Sequence, residues 1–289
     1  MSDTRPDPDK RRRRVLLQLR LGRPRPVALA AAILVARAFR SELESLIVED
    51  PTLLDIAGLP FAQEISFTGR RSRLLPPEAI ERQMRSAAAE MMRQVEMLAR
   101  EAEVPVRRTV IRSEPMAALA SICHAEDCQA QIIAFTEPLS SADAPLLHRL
   151  FASLPGGTGL LAVGPTAHRS TGPIVGVVDD IDHFDAVLRA TRHIFEATEE
   201  SRFALLMAAE SDAEAEVMEQ QARLALGSDD AIDIVHARVL PNAPAMVAEL
   251  LRRLNAGFIV SHFGGIIVPP DGDLRELTAV LQSPLLLIR

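Results

Sequence analysis

The chain has 289 residues, 48% of them hydrophobic, with a formal net charge of −7 and an aromatic content of 3% that includes no Trp or Tyr. The negative charge disfavours general binding of nucleic acid, and the scarcity of aromatic rings disfavours stacking of bases or sugars. No apolar run reaches the roughly 18 residues of a membrane-spanning helix and no hydrophobic signal-peptide core follows the basic residues 10–14, so a cytoplasmic protein with neither nucleic acid nor membrane as a partner is expected.

Short apolar strands alternate with amphipathic helices over residues 15–165. A polar, basic leader at 1–14 precedes them and is predicted to be disordered. The predicted strands are 15–21, 42–48, 106–111, 131–135 and 159–163, and the predicted helices are 28–39, 78–103, 115–124 and 144–154. The connection at 51–77 is long for such a domain, and we interpret it as an insertion that forms a lid, a partner surface or a flexible segment.

The same order of elements begins again after residue 172 and continues to the end of the chain. The predicted strands are 174–178, 203–208, 232–239, 258–261 and 285–288, and the predicted helices are 185–198, 214–226, 244–254 and 274–281. Alternation of this kind indicates an α/β fold with a mostly parallel sheet and helices on both faces. The sequence therefore predicts two tandem domains, 15–165 and 172–289, each with an open five-stranded sheet.

A ligand site is predicted where the strand at 174–178 ends. Open α/β sheets bind ligands where the carboxyl ends of strands meet the free N–H groups of helices. Two acids follow that strand directly, and two glycines that allow close approach of a small anion follow the strand at 258–261. The predicted site residues are Asp179, Asp180, Ser261, Gly264 and Gly265. An Asp at such a turn also commonly caps a helix without any ligand.

Two groups of residues contain side chains of the types that bind metal ions. Carboxylates and one imidazole at 179–185 are conceivable cation ligands, but the glycine of a calcium loop is missing and helix-start acids that complement the macrodipole are a simpler explanation. Cys123 and Cys128 have no second pair of ligands nearby, so two buried or reduced thiols are expected rather than a zinc site or a disulfide.

Catalytic chemistry finds little support in the sequence. Ser140, Ser141 and Ser261 do not lie in a G-x-S-x-G elbow. The single histidines His148 and His262 are interpreted as surface or capping residues, as is the one at position 124. An α/β enzyme would need a pocket with convergent titratable groups, which the sequence does not locate, so no catalytic residue is assigned.

The duplicated pattern resembles a family, the universal stress proteins, and in particular its double-domain members. The resemblance rests on V-L-L-Q-L at 15–19, E-L-E-S-L-I-V-E-D at 42–50, I-V-G-V-V-D-D at 174–180 and S-P-L-L-L-I-R at 283–289. It implies an adenine nucleotide alpha hydrolase-like fold in each half and a stress-response role. Nucleotide-binding members carry an acid after the first strand and a loop G-x2-G-x9-G-S/T after the fourth, where backbone N–H groups cradle phosphates.

That nucleotide motif is degenerate in both halves. In the first half Arg20 occupies the acid position, and 136–141 contain a proline and a glutamate but no glycine. In the second half Asp179 matches the acid, but Ile267 stands three residues after Gly264 where the second glycine is required. The resemblance therefore implies that ATP is not a regular cofactor, with adenine-nucleotide binding or slow ATP hydrolysis in the second half as the alternative.

These observations favour a non-catalytic, stress-response-type protein that binds a partner protein or a small ligand. The expected partner or lid surface is the insertion, where apolar Leu59 and Phe61 precede basic Arg70 and Arg71. A loop packed on its own domain is the equally simple alternative. Two halves in one chain are expected to make internally the sheet contact that single-domain relatives make by dimerising, and a homodimer of the whole chain is also compatible with the sequence.

Overall fold

The fold was analysed in a computed structural model of the whole chain. It describes residues 14–20, 25–49, 51–65, 72–74, 76–123, 130–135, 143–153, 158–169, 171–200, 202–226, 232–240, 243–265, 267–268 and 274–289. The predicted leader therefore lies outside the described residues except for Arg14. That residue is not part of a leader, because it begins the first strand and its Nη1 lies 3.3 Å from Glu44 Oε2.

All helices and strands expected from the sequence are present, each within two residues of its predicted ends. The strands are β1 (Arg14–Arg20), β2 (Glu42–Glu49), β3 (Gln63–Ile65), β4 (Ser72–Leu74), β5 (Val106–Arg112), β6 (Ala130–Phe135), β7 (Gly159–Ala162), β8 (Ile174–Val178), β9 (Phe203–Ala209), β10 (Ile232–Arg238), β11 (Phe258–His262) and β12 (Leu285–Ile288). The helices are α1 (Pro26–Ala38), α2 (Thr52–Ala57), α3 (Pro77–Glu101), α4 (Pro115–Cys123), α5 (Asp143–Ser153), α6 (Phe184–Glu196), α7 (Asp212–Leu226), α8 (Pro244–Arg253) and α9 (Leu274–Val280).

Ten strands form one continuous sheet in the order β10-β9-β8-β11-β12-β7-β6-β1-β2-β5. Neighbouring strands are parallel, except that β7 and β12 pair antiparallel at the centre. The predicted α/β class and mostly parallel pairing are confirmed, but the two predicted five-stranded sheets are joined into one ten-stranded sheet. Strand periodicity identifies each strand but carries no information on which strand lies beside the last one of each half.

The sheet is covered on both faces, which explains why most of its strands are continuous apolar runs. One hydrophobic core lies between the sheet and α1, α3, α6 and α7, and the other lies between the sheet and α4, α5, α8 and α9. Successive strand residues alternate between the two cores, as Val15 and Leu16 do. Each core contains residues from both halves of the chain, so the apolar interior is continuous across the β7–β12 pair.

The segment between β7 and β8 is held firmly against the rest of the protein. Arg25, just before α1, donates hydrogen bonds to the carbonyl oxygens of Gly164 and Ala167. A Cβ atom at Gly164 would lie 1.7 Å from the Thr278 carbonyl oxygen, so only glycine allows the chain to approach α9 this closely. The connection between the halves is therefore packed and hydrogen-bonded along part of its length.

The insertion contains more regular structure than the sequence predicts. It includes α2, which packs on α3, and the antiparallel hairpin of β3 and β4. Leu59 and Phe61 lie between them and are exposed, Phe61 to 75%, whereas Arg70 and Arg71 lie outside the described residues. The segment thus both packs on its own domain and presents apolar side chains to solvent.

Among the described residues, no helix is both long enough and apolar enough to cross a bilayer. The long helix α3 has 25 residues, but its buried positions lie on one side only, with Met84, Ala88, Met91 and Val95 at helical spacing. This pattern is typical of a surface helix packed on a core.

Candidate functional site

The strands β8 and β11 are neighbours whose connections leave in opposite directions. From β8 the chain passes through α6 to β9, and from β11 it passes through α9 to β12 on the other side. Such a divergence leaves a crevice at the carboxyl ends of the two strands, where open α/β sheets bind ligands. Asp179 and Asp180 follow β8, and Gly264 and Gly265 follow β11, so the structure places the predicted site residues around this crevice.

A short segment after β11 closes over Asp179. We call residues 263–265, 267 and 268 the strap. The Ile267 N–H donates to Asp179 Oδ2 with an N–O distance of 3.2 Å. The Gly264 N–H donates to the Val268 carbonyl oxygen at 2.8 Å, and Gly264 has a φ of 101°, which favours glycine. The strap therefore bonds to itself and to Asp179, whose side chain is buried.

Gly265 lies directly against the Asp179 carboxylate. A Cβ atom at this position would lie 2.0 Å from Oδ2 and 2.4 Å from Cγ of Asp179, far inside van der Waals contact. Glycine is required here because the strap backbone rests on the carboxylate. The sequence predicted that Gly265 would allow close approach of an anion, and the group that approaches is the protein's own aspartate.

Apolar side chains anchor the strap in the core. Phe263, Ile267 and Val268 are buried, and each such side chain contributes about 1.5–3 kcal/mol relative to an exposed one. The Phe263 ring packs edge-on against Phe151 with centroids 4.9 Å apart, and against His148 at the same distance. Both partners lie on α5, so a helix of the first half holds the strap of the second.

Two histidines stack beside the strap. The rings of His183 and His262 have centroids 3.4 Å apart and are inclined by 22°. Burial of the ring and, to a lesser extent, repulsion from His183 together lower the pKa of His262 to about 4, although attraction from Asp180 partly opposes the shift. The sequence interpretation of His262 as an isolated histidine is therefore wrong, because the fold brings two distant segments together at the crevice.

The remaining predicted site residues have structural roles in this arrangement. Asp180 caps a single 3-10 turn at 181–183, where its Oδ1 accepts the Asp182 N–H at 2.9 Å. Asp180 Oδ2 also lies 3.3 Å from His183 Nδ1. Ser261 is fully buried within β11, with its Oγ 3.5 Å from the carbonyl oxygen of His262. The capping role considered for an aspartate at this turn thus falls to Asp180.

No cluster of three or more His, Cys, Asp or Glu side chains suited to a metal ion occurs in the part of the chain that the structure describes. Stacked imidazoles such as His183 and His262 cannot share one ion, because each ring nitrogen directs its lone pair within its own ring plane. Cys123 is half-buried, and Cys128 lies outside the described residues.

The corresponding crevice of the first half lies between β1 and β6, which are also neighbours. Gln18 of β1 is buried, and its Nε2 donates to the Pro115 carbonyl oxygen at 3.2 Å. Arg20 is the last residue of β1, so an arginine stands at the first-half position that corresponds to Asp179 in the second half. The predicted loop at 136–141 lies outside the described residues.

Two surface grooves, of about 400 and 560 Å³, lie away from both crevices. They share Arg37 and Arg40 at the end of α1, and carboxylates such as Glu103 and Glu199 line them as well. Their linings contain both signs of charge, and none of the predicted site residues belongs to either lining.

Comparison with solved structures identifies the fold class. A putative universal stress protein from Pseudomonas aeruginosa UCBPP-PA14 matches with a TM-score of 0.56 and 18% identity over 96% of this chain and 93% of its own. A functionally unknown protein from P. aeruginosa PAO1 matches with a TM-score of 0.58 and 18% identity over 96% and 92%. A universal stress protein from Archaeoglobus fulgidus DSM 4304 matches with a TM-score of 0.58 and 9% identity over 95% and 98%.

These matches show that the chain has a fold like that of universal stress proteins, as the sequence resemblance implied. At 18% identity or less they concern the fold alone, and function must be argued from the site. No protein-family model and no curated protein matches the sequence.

Proposed function

We propose that the chain is a tandem protein of the universal stress type that acts in the cytoplasm by binding rather than by catalysis. The repeated strand order supports two domains, 15–165 and 172–289. The strands β5-β2-β1-β6-β7 and β10-β9-β8-β11-β12 follow the same order, third-second-first-fourth-fifth, within their halves. In this proposal the β7–β12 pair is the internal counterpart of a dimer contact. The stress-response role rests on the fold class.

The closed strap is the observation that carries the non-catalytic assignment. A phosphate cradle needs backbone N–H groups that are free to point at the ligand. In the strap, the N–H groups of Gly264 and Ile267 are already bonded to Val268 and Asp179. A nucleotide could enter the crevice only by displacing a segment that is anchored by three buried apolar side chains. The eroded nucleotide motif therefore corresponds to a crevice that the protein fills itself.

The exposed part of the insertion supports a protein partner. Ile56, Leu59, Phe61 and Ile65 are all exposed within ten residues, Ile65 to 67%. Large apolar side chains clustered in this way are typical of interaction surfaces. In this proposal Arg70 and Arg71, which follow in the sequence, add a basic flank, so an amphipathic partner with acidic groups fits the segment best.

A second candidate function is adenine-nucleotide binding in the second half. It is favoured by one observation, the buried Asp179 carboxylate at the strand ends. A carboxylate at this point can accept a hydrogen bond from an amino group of a base. This function requires an open strap.

Thermal denaturation of the whole protein with ATP, ADP, AMP and a cyclic dinucleotide, with and without magnesium, separates the two candidates. A ligand at about one hundred times its dissociation constant adds about 2.7 kcal/mol of stability. The binding-only proposal predicts no shift with any nucleotide. A shift that Asp179→Ala abolishes would establish the second candidate instead.

The partner surface is tested by affinity capture with two variants. Phe61→Ser removes the most exposed side chain of the insertion, and Leu224→Ser removes a side chain on α7 that is exposed to 86%. Both changes reduce surface hydrophobicity, so they are matched for nonspecific adhesion. We expect a specific partner to be lost with Phe61→Ser alone. Equal retention of the same proteins by both variants would contradict the assignment of this surface.

A further inference from the structure

Two imidazole nitrogens near the strap lack hydrogen-bond partners. Nδ1 of His262 and Nε2 of His148 are buried without such a partner, whereas Nδ1 of His183 lies 3.3 Å from Oδ2 of Asp180. His262 directly precedes the strap, His183 stacks on His262, and His148 packs on Phe263 within the strap. One histidine therefore packs on the strap, a second directly precedes it in the chain, and a third stacks on the second.

We propose that the strap is an acid-responsive closure, held shut while His262 is neutral and released when His262 takes up a proton. The inference goes beyond the binding role proposed above, because it concerns when the crevice is accessible and holds for any ligand. Opening would free the Asp179 carboxylate and the N–H groups of Gly264 and Ile267 together, since those groups are bonded within one closed segment.

The geometry explains why a proton and the closed strap exclude each other. A charge on His262 would sit on a half-buried ring, 3.4 Å from a second imidazole and with no acceptor for the buried Nδ1–H. An ionised group that loses hydration without gaining a hydrogen bond is strongly disfavoured. In the proposed opening the imidazolium regains water by moving outward, and the next residues, Phe263 and Gly264, move with it away from Asp179.

The charged groups around His262 do not compensate for this cost. Asp180, from the turn after β8, attracts a proton to His262, but burial of the ring and repulsion from His183 together outweigh this attraction. On the other side, β12 presents Ile288 as the register partner of His262. Asp179 faces Gly265 and Ile267 within the strap.

The sign of the effect follows from proton linkage. His262 has a pKa of about 4 in the closed structure, against 6.5 for an ordinary histidine. The closed form binds the proton more weakly, so closure is favoured above the ordinary pKa and is progressively lost as the pH falls from 6.5 towards 4. Between about pH 8 and about pH 5 the opening equilibrium constant should rise by about 30-fold.

Hydrogen exchange of the full-length protein, read by mass spectrometry in peptides that cover the strap, measures this opening. After correction for the chemical exchange rate, we expect a rise of about 30-fold between about pH 8 and about pH 5. His262→Phe keeps a planar ring beside His183 but cannot take up a proton, so its opening constant should not change with pH. His193→Phe is the control, because His193 is exposed and packs on Phe39 away from the strap. This variant should retain the wild-type pH response.

Two results would overturn the proposal: a wild-type strap whose corrected exchange does not change with pH, or an equal change in His262→Phe. Peptides from α6 report global opening, and an equal acceleration there would assign the effect to the whole fold and also overturn it. If His262→Phe does not fold, an NMR titration of the wild-type protein decides the question. A His262 ring that titrates near 6.5 while the Ile267 amide stays protected would contradict the coupling.

Discussion

Replacing Gly265 with alanine tests whether the strap is closed by direct contact with Asp179. The added Cβ would lie 2.0, 2.4 and 2.5 Å from the Oδ2, Cγ and Oδ1 atoms of Asp179. Asp179 is only 7% exposed and cannot turn away without losing the hydrogen bond from Ile267. Crowding of this kind costs about 1–3 kcal/mol, and loss of a hydrogen bond to a charged group adds about 1.5–3 kcal/mol.

A double-mutant cycle isolates this contact. Urea unfolding, followed by far-ultraviolet circular dichroism because the chain has no Trp or Tyr, gives the free energy of unfolding for wild type, Gly265→Ala, Asp179→Ala and the double variant. Asp179→Ala removes the clashing atoms, so Gly265→Ala should cost less than about 0.5 kcal/mol in that background, with a coupling energy of at least about 1 kcal/mol.

Gly58→Ala is the matched control for the cycle. Gly58 ends α2 on the surface with a φ of −72°, which alanine adopts readily, so the change should be neutral or slightly stabilising in both backgrounds. Additive effects of Gly265→Ala and Asp179→Ala, within about 0.5 kcal/mol, would refute the argument that the strap rests on the carboxylate.

Three further predictions concern other parts of the molecule. Phe151→Ala should lower the free energy of unfolding by about 3–5 kcal/mol in denaturant titrations, because the side chain is fully buried and supports the strap. Glu103→Gly should raise it by about 0.5–1 kcal/mol, measured as a higher urea midpoint, because Glu103 has a φ of 57° just after α3. Glu249 should titrate at about 2 by NMR because Arg252 and Arg253 lower its pKa. Its carboxylate should therefore stay ionised at a pH below 4.5, the pKa of an ordinary glutamate. Replacing both arginines with alanine should return the pKa of Glu249 towards 4.5.

Much of the fold was predictable because its strands are buried on both faces. β8 and β12 have the ends that the sequence predicted, since their apolar runs are bounded by proline, by acids or by an arginine. The hairpin β3–β4 was not predicted, because strands of three residues are too short to show a period. Nor could the lateral contact of β7 with β12 be predicted, since it depends on how the halves pack.

The location of the crevice was predictable, but its closed state was not. The rule that ligand sites lie at strand ends was enough to select Asp179 and Gly265. In the sequence, Ile267 only marks a missing glycine, whereas in the structure its N–H binds Asp179 and its side chain enters the core. Its role depends on the path of the strap, and no local pattern encodes that path. The pairing of His183 with His262 depends in the same way on strand neighbours.

The antiparallel β7–β12 pair has a consequence for how the chain avoids aggregation. All residues of β7 and β12 except Ile288 are buried, and if the halves were separate molecules each would present an unpaired, apolar strand edge to other chains. Joining the halves covalently gives each edge a partner at high effective concentration. The edges that remain, β5 and β10, carry exposed charged side chains such as Arg107 and Asp233, which discourage further strand addition. A chain cut between the halves should therefore behave as a pair of complementary fragments that remain bound to each other.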